Sequence, residues 1–302
     1  MTSVVIVSYN TCDKLRRSLT SVEPHHEVIV VDNASHDGSP EMVATEFPGV
    51  ILIRNQTNVG FGPANNQGAA VATRKLVLYL NSDAYPFPGA IDLLASKFVD
   101  DQVVGAGPML LNLDDSIQDS SAHQLTLWAV LCEQLYLEKL FRGNRLFSPY
   151  WNTRDLVAAG GDQRTAQVMG AALMCRIGQE NFDERFFLYC EDTDLCRRLS
   201  RHGEIVYVSE AKVYHELGSS SSANRWKSVA RYNRGKELYF SIHHGKLAMS
   251  ACWLLDRLGA LLRLVVWTVP TILTLFMVKR FRGQALLFLR VLVVNPLGPI
   301  RS

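Results

Sequence analysis

No Cys-x-x-Cys pair occurs in these 302 residues; Cys12, Cys132, Cys175, Cys190, Cys196 and Cys252 are scattered along the chain. That argues against a zinc site or a secreted disulfide framework and fits a reducing compartment. No G-x-G-x-x-G follows the first apolar run, where Ser8-Tyr9-Asn10-Thr11-Cys12-Asp13 stands instead. A dinucleotide-binding fold needs that glycine pattern, and a sugar-nucleotide pyrophosphorylase would need a glycine-rich phosphate loop at the same place. The N-terminus lacks a basic start and its apolar run is short, so no signal peptide is expected. There is no internal repeat, and the nearest thing to low complexity is a serine patch at Ser219–Ser222. Apolar side chains are plentiful: 48% of residues are hydrophobic, which suits one large α/β domain or a domain with an appendage.

The net charge of +2 conceals an asymmetry. From Arg225 onward there are 13 of the 31 Lys/Arg and only two acids, Glu237 and Asp256, so this part carries +11 and the rest −9. A basic block can serve nucleic acid or anionic lipid. Here it coincides with the most apolar part of the chain, which favours a membrane surface over nucleic acid.

Short β-branched runs recur at Val4–Val7, Val28–Val31, Val50–Ile53 and Leu76–Leu80, with a fifth at Val103–Ala106. Each is too short for a helix and has the continuous apolar character of a strand covered on both faces. Helical patterns lie between them, one opening at Ser39-Pro40-Glu41 with a cap residue followed by proline. Alternation at this spacing predicts a parallel sheet with right-handed crossovers.

Ligands of open α/β sheets gather outside the carboxyl ends of the strands. The residues placed there are Ser8-Tyr9-Asn10, then Asp32 to Ser39, Arg54-Asn55 and Asn81-Ser82-Asp83. Asp32, directly after a strand, can accept hydrogen bonds from a ribose or from a base N–H. Asn58-Val59-Gly60-Phe61-Gly62 reads as a tight turn that lets backbone approach a ligand. Asn81-Ser82-Asp83 suits a hard cation on a diphosphate, which needs only one or two carboxylates; an Asx-turn is the plainer reading of the same residues. His215, after an expected strand at Ile205–Val208, would be a further metal ligand. Arg225, Arg231 and Arg234 can meet phosphate charge or form a solvated helix face.

The densest chemistry lies between Phe182 and Leu199, where Glu191, Asp192 and Asp194 follow an aromatic segment and precede an amphipathic helix. A carboxylate beside apolar surface can act as a general base. Acids in a first turn also stabilise a helix simply by their charge.

The ordered set Val4 to Asn10, Val30 to Ser35, Asn58 to Gly62, Leu80 to Asp83, Gly170-Ala171-Ala172, Phe182 to Arg198 and Val213-Tyr214-His215 resembles glycosyltransferase family 2, in the branch similar to bacterial rhamnosyltransferases. The resemblance spans about residues 1 to 240. It implies the GT-A fold, a Rossmann-like, mostly parallel α/β sheet flanked by helices. It also implies inverting transfer from a nucleoside-diphosphate sugar of dTDP or UDP type, helped by Mg²⁺ or Mn²⁺. In this reading Asp32 meets the base, Asp83 and His215 hold the metal, Asp192 is the general base and Glu191 its neighbour. The other candidate contacts to the nucleotide sugar are Ser8, Tyr9, Asn10, Asn58, Gly60, Asn81, Ser82 and Arg231. The family's metal motif is often D-x-D, and Asn81 replaces its first acid, so weaker metal affinity is expected. The implied reaction is rhamnose transfer from dTDP-rhamnose to a glycan or polyprenyl-diphosphate-linked acceptor of the cell envelope. Another donor (a UDP-hexose or galactofuranose) and a non-catalytic sugar-nucleotide or glycan binder are the alternatives.

The expected division is a catalytic domain over 1–245, with a nucleotide-sugar half to about 110 and an acceptor half from 111, then a membrane-associating tail over 246–302. In the tail, Asp256, Gly259, Ala260 and Arg263 recur with helical spacing as one polar stripe. Leu264–Val278 is uncharged but only 15 residues long and contains Pro270; spanning a bilayer takes about 20. Lys279-Arg280-Phe281-Arg282 and a second apolar run, Ala285–Val294, follow. This pattern predicts a peripheral or monotopic anchor lying in the cytoplasmic face of the plasma membrane, ahead of a spanning hairpin or a soluble packing or dimer helix.

Overall fold

The computed structural model describes residues 1–141, 143–216 and 225–294. The serine patch at Ser219–Ser222 lies outside them. The described residues form two compact units, one from 1–124, 151–187 and 191–216, the other from 125–150, 188–190 and 225–294. The expected boundary at 245 falls instead inside the second unit, at a break in its long helix.

In the first unit the expected strands appear as β1 (Ser3–Ser8), β2 (Glu27–Asp32), β3 (Ile51–Arg54), β4 (Leu76–Asn81), β6 (Val103–Leu111) and β11 (Glu204–His215). To these are added β5 (Ala84–Pro86), β8 (Asp162–Thr165) and β10 (Ala172–Arg176), making a nine-stranded sheet. Its order is β3-β2-β1-β4-β10-β6-β11-β5, with β8 beside β11. β3, β2, β1 and β4 run parallel, and β10 enters antiparallel between β4 and β6. A separate short pair joins β7 (Ser121–Ala122) to β9 (Gln167–Val168).

Side chains alternate across the pleat, so each strand feeds two cores. Val4, Ile6, Val30 and Leu78 pack with Leu15 and Leu19 of α1 (Cys12–Ser21) and with Met42 and Val43 of α2 (Ser39–Glu46). Val5, Ile29, Val31 and Tyr79 pack with Ala64 of α3 (Phe61–Val71) on the other face. Leu195, Cys196 and Leu199 of α8 (Glu191–Leu199) complete that second core. Burying one such aliphatic side chain is worth about 1.5–3 kcal/mol, so register is firmly set. Also in this unit are α4 (Ala90–Ser96) and α7 (Thr153–Ala159).

The α2 cap differs from expectation. Gly38, left-handed at φ 84°, is the cap position, and Ser39 is already helical, with its N and Oγ donating to Asp37 Oδ1 at 3.1 and 2.5 Å.

The second unit contains α5 (Leu127–Gln134), α6 (Leu137–Leu140), α9 (Arg225–Leu273) and α10 (Lys279–Val293). α9 breaks at Gly245, whose φ of 84° and ψ of 175° are not helical. The break lets Lys236, before it, reach Asp256, after it: Nζ to Oδ1 is 2.7 Å, with side chains 0% and 1% exposed. Burial acts to lower the Lys236 pKa, but Asp256 and Glu133 outweigh it and the net shift is upward. Gln134 Nε2 donates to the same Asp256 oxygen at 2.9 Å, and Arg263 donates to the Gln134 carbonyl at 2.9 Å. The stripe of Asp256, Gly259, Ala260 and Arg263 therefore faces protein, which leaves the apolar side of the helix outward. A charged stripe finds its partners in α5, which the helix pattern alone could not reveal.

Candidate active site

Register aligns the polar strand ends: Ser8 sits opposite Asp32, Asp32 opposite Arg54 and Val7 opposite Asn81. Ser8 Oγ lies 3.1 Å from Thr11 Oγ1, which donates to Ser82 Oγ at 2.9 Å. Thr11 is the residue before α1, and its side chain makes no cap bond there. Its hydroxyl instead joins the β1 and β4 ends. Asp37 Oδ2 accepts from Cys12 N at 2.8 Å, supplying the first turn from another loop. Asn10, left-handed at φ 54°, accepts from His36 N at 2.8 Å and donates its own N–H to Ser35 Oγ at 2.9 Å. Asn10 thus clasps the loop after β2, while the neighbouring Tyr9 ring is exposed.

Asp32 is buried at that loop's origin. Its Oδ2 accepts from Ser35 N at 2.9 Å, whereas Oδ1 is buried with no hydrogen-bond partner. Leaving such an acceptor unmet costs about 1–3 kcal/mol, so the atom is suited to a donor brought by a ligand. Asn33, next in sequence, donates to Asn58 Oδ1 (2.9 Å) and Gly60 O (3.1 Å) and accepts from Val59 N (3.1 Å). The Asn58–Gly60 turn is thereby pinned to β2. Gly60 has φ 102°, and a Cβ there would sit 2.7 Å from Phe187 O. Its close backbone approach is made to the protein's own 182–187 segment, with Phe61 N donating to Phe187 O at 2.9 Å.

At the end of β4, His215 Nε2 stands 3.5 Å from Asp83 Oδ1 and 3.3 Å from Asn81 Nδ2. His215 Nδ1 is 3.1 Å from Gln118 Oε1. The Gln118 amide is oriented by donation from Nε2 to Asn112 Oδ1, at 2.7 Å, and to the His215 carbonyl. Its oxygen therefore faces Nδ1 and can only accept, which puts the imidazole proton on Nδ1. Nε2 then accepts from Asn81 Nδ2 and stands beside the Asp83 carboxylate. Two such atoms at this separation match neighbouring ligands of one cation, with bonds of about 2.0–2.2 Å. Glu216 N donates to Asp83 O at 3.0 Å, holding the two strand ends together.

Asp192 is tied to the same place through backbone. Asn81 N donates to Ala171 O at 2.9 Å, and the adjoining Gly170 N donates to Asp192 Oδ2 at 2.8 Å. A Cβ on Gly170 would lie 3.0 Å from Asp192 Cβ, so a larger residue there would crowd the carboxylate. Asp192 Oδ1 accepts from Thr193 N at 2.7 Å. Burial raises the Asp192 pKa against these donors. Glu191 is more deeply buried, with Oε2 unpartnered, and burial followed by the Asp192 charge pushes it to about 8. The helix terminus does not keep both acids ionised, as their position alone suggests; desolvation prevails, and Glu191 is mostly protonated at neutral pH. Asp194 is buried and pairs with Arg198 at 2.8 Å. Tyr189 and Cys190, just before α8, are both left-handed, at φ 75° and 67°. Consecutive non-glycine residues in that region carry strain of the kind found beside functional sites.

Sequence reasoning missed Gln118, Thr11 and Asn33 as site builders. Asn33 lies within a strand-end motif, whereas Gln118 meets His215 and Thr11 meets Ser82 across long stretches of sequence. Arg231 lies on α9, in the second unit. His25, His26 and Asp92 also form a compact group that could hold a metal ion. His25 and His26 precede β2, at the end of that strand away from Asp32, and Asp92 lies on α4; His26 Nδ1 accepts from Thr2 N at 3.4 Å. That bond leaves the proton on His26 Nε2, the wrong tautomer for ligation there.

A mostly parallel sheet with acids at its strand ends is the frame of a sugar-nucleotide transferase. Residues 3–160 match the family described as "Glycosyl transferase family 2", and the chain belongs to it. It is 27% identical over 271 residues to the N-acetylglucosaminyl-diphospho-decaprenol L-rhamnosyltransferase of Mycobacterium tuberculosis, covering 80% of this chain and 84% of that protein. It is 26% identical over 264 residues to Rhamnosyltransferase WbbL of Escherichia coli K12, covering 79% and 94%. Among solved structures it resembles the mannosyltransferase PcManGT from Pyrobaculum calidifontis in complex with GDP-Man and Mn²⁺ (TM-score 0.55, 14% identity, covering 96% of this chain and 84% of that one). It also resembles S. aureus TarS 1-349 (TM-score 0.51, 17% identity, 97% and 81%). The fold is GT-A.

Proposed function

We propose that the protein transfers rhamnose from dTDP-rhamnose, with inversion, to a polyprenyl-diphosphate-linked glycan at the cytoplasmic face of the membrane. The observation that supports this reading is the run of hydrogen bonds from Asn81 through Ala171 and Gly170, which ties the Asp192 carboxylate to the strand end that precedes Asp83. Asp32 Oδ1 would accept the pyrimidine N3–H. Asp83 and His215 would hold the divalent cation, Mg²⁺ or Mn²⁺; when bound it supplies positive charge against the departing diphosphate. Ser8, Asn10, Asn58, Gly60, Asn81 and Ser82 shape the donor site. Asp192 takes the proton of the acceptor hydroxyl as its oxygen bonds to the anomeric carbon. The bond from that carbon to the diphosphate oxygen breaks, and its electron pair leaves with the diphosphate. Attack from the face opposite the leaving group inverts the centre. Protonated Glu191 does not compete for the acceptor proton. The names of the M. tuberculosis and E. coli relatives support the rhamnosyl donor and, for the former, the acceptor class.

The test is incubation with N-acetylglucosaminyl-diphospho-polyprenol and either dTDP-rhamnose or UDP-hexoses, read by product mass. Gain of one deoxyhexose from dTDP-rhamnose only, lost in Asp83→Ala, is the expected result. Transfer from a UDP-sugar alone would overturn the donor. Calorimetry with dTDP, UDP, GDP and ADP tests Asp32 separately, and tight GDP binding would overturn its pyrimidine role.

A further inference from the structure

Beyond Gly245, Asp256 and Arg263 of α9 turn inward, to Lys236 and Gln134. Leu254, Leu258, Leu261, Val265, Val269 and Ile272 of the same arm are exposed. Their helical spacing makes one unbroken apolar face about 30 Å long at 1.5 Å per residue. Leu286, Leu289 and Val293 repeat the pattern on α10, which is joined to α9 by Arg257 donating to the Leu292 carbonyl at 3.2 Å and by a Trp267–Phe281 ring contact at 6.0 Å. The turn between the arms is the most apolar point, with Leu273, Leu275 and Met277 78%, 78% and 81% exposed and Phe276 beside them.

We infer that this face and its turn are seated in an anionic phospholipid bilayer, with the 273–278 turn deepest. Two observations select lipid over a second copy of the chain. From Arg257 to Val294 every charged residue is basic, and Lys279, Arg280, Arg282 and Arg290 are exposed. An isologous dimer through this face would set like charges against each other, whereas acidic head groups complement them. The turn is also prepared for hydrocarbon. Phe276 N donates to Thr271 O and Leu275 N to Ile272 O, both at 2.8 Å. The Thr271 and Thr274 hydroxyls fold back onto the Trp267 and Pro270 carbonyls at 2.6 and 2.7 Å. Polar groups so paired can leave water at little cost. No helix among the described residues is long and apolar enough to cross a membrane, so seating is in the interface, with an apolar face about 5–10 Å deep.

This rests on the proposed membrane-carried acceptor, but its test needs neither donor nor acceptor. The full chain is sedimented with phosphatidylcholine vesicles and with vesicles containing phosphatidylglycerol. Binding should appear with the acidic vesicles and weaken with salt. Lys279→Gln and Arg280→Gln should each weaken it about fivefold, and Leu275→Ser with Phe276→Ser should lower it further while nucleotide binding is retained. Equal sedimentation of wild type and the Leu275→Ser/Phe276→Ser variant would overturn the inference. So would a stable dimer in vesicle-free solution that this variant dissociates, with no vesicle binding by either form. Loss of sugar transfer with vesicle binding intact would count against the catalytic reading alone.

Discussion

Gln118 Oε1 stands 3.1 Å from His215 Nδ1 and fixes which nitrogen of the ring faces Asp83. A positioning residue of this kind typically changes metal affinity 10–100-fold when removed. Gln118→Leu should weaken Mn²⁺ binding by about that factor, measured by electron paramagnetic resonance titration with dTDP present. Gln118→Glu keeps an acceptor opposite Nδ1 and should recover most of the affinity. A Gln118→Leu protein with wild-type Mn²⁺ affinity would show that His215 is not a ligand.

Strands announced themselves because Val4–Val7 and Val28–Val31 are continuous apolar runs, and the parallel register then carried Ser8, Asp32 and Asn81 to one edge. Asp83 and His215 were visible because each stands at a strand end. Gln118 follows β6 in an irregular segment and acts only through His215, 97 positions away. No local pattern encodes such a pairing. The inward turn of Asp256 was hidden for a similar reason. A polar stripe looks the same whether water or α5 satisfies it.

Glu191 should make stability depend on pH. Its carboxyl ionises at about 4.3 when unfolded and at about 8 in the folded chain. Between these values the folded state holds a proton that the unfolded state has released, so stability falls as pH rises through the window. The slope is at most about 1.4 kcal/mol per pH unit. Glu191→Gln removes that dependence. Thermal melts at pH 5, 6.5 and 8 should show the variant gaining on wild type as pH rises; parallel melting curves at all three would mean that Glu191 is ionised when folded.

In the second unit, Lys236 and Asp256 are buried as a pair across the Gly245 break. Removing one partner strands the other charge, at a cost of about 3–5 kcal/mol. Lys236→Met should therefore lower the denaturation midpoint sharply. Combining it with Asp256→Leu should restore most of the loss, because no fully buried charge is left unpaired; Glu133, which also meets Lys236 at 3.3 Å, is 32% exposed and can be hydrated. If the double variant is as unstable as the sum of the two singles, the pair contributes through packing and not through charge.

Asp192 offers the most direct trial of the chemistry. Both of its oxygens already accept backbone N–H groups, Oδ2 from Gly170 and Oδ1 from Thr193, so the carboxylate is held in one orientation while burial keeps its pKa above the ordinary range. A base so placed accepts a proton more readily than a solvated aspartate, and positioned bases contribute about 10²–10⁴-fold to rate. Asp192→Asn is nearly isosteric and should cut kcat by at least about 10²-fold, with dTDP affinity near that of wild type. In wild type, turnover should rise with pH through the Asp192 ionisation, and that rising limb should be absent from the residual activity of the variant. Near-normal transfer by Asp192→Asn would mean that these acids serve only the helix terminus and that the acceptor proton leaves by another route.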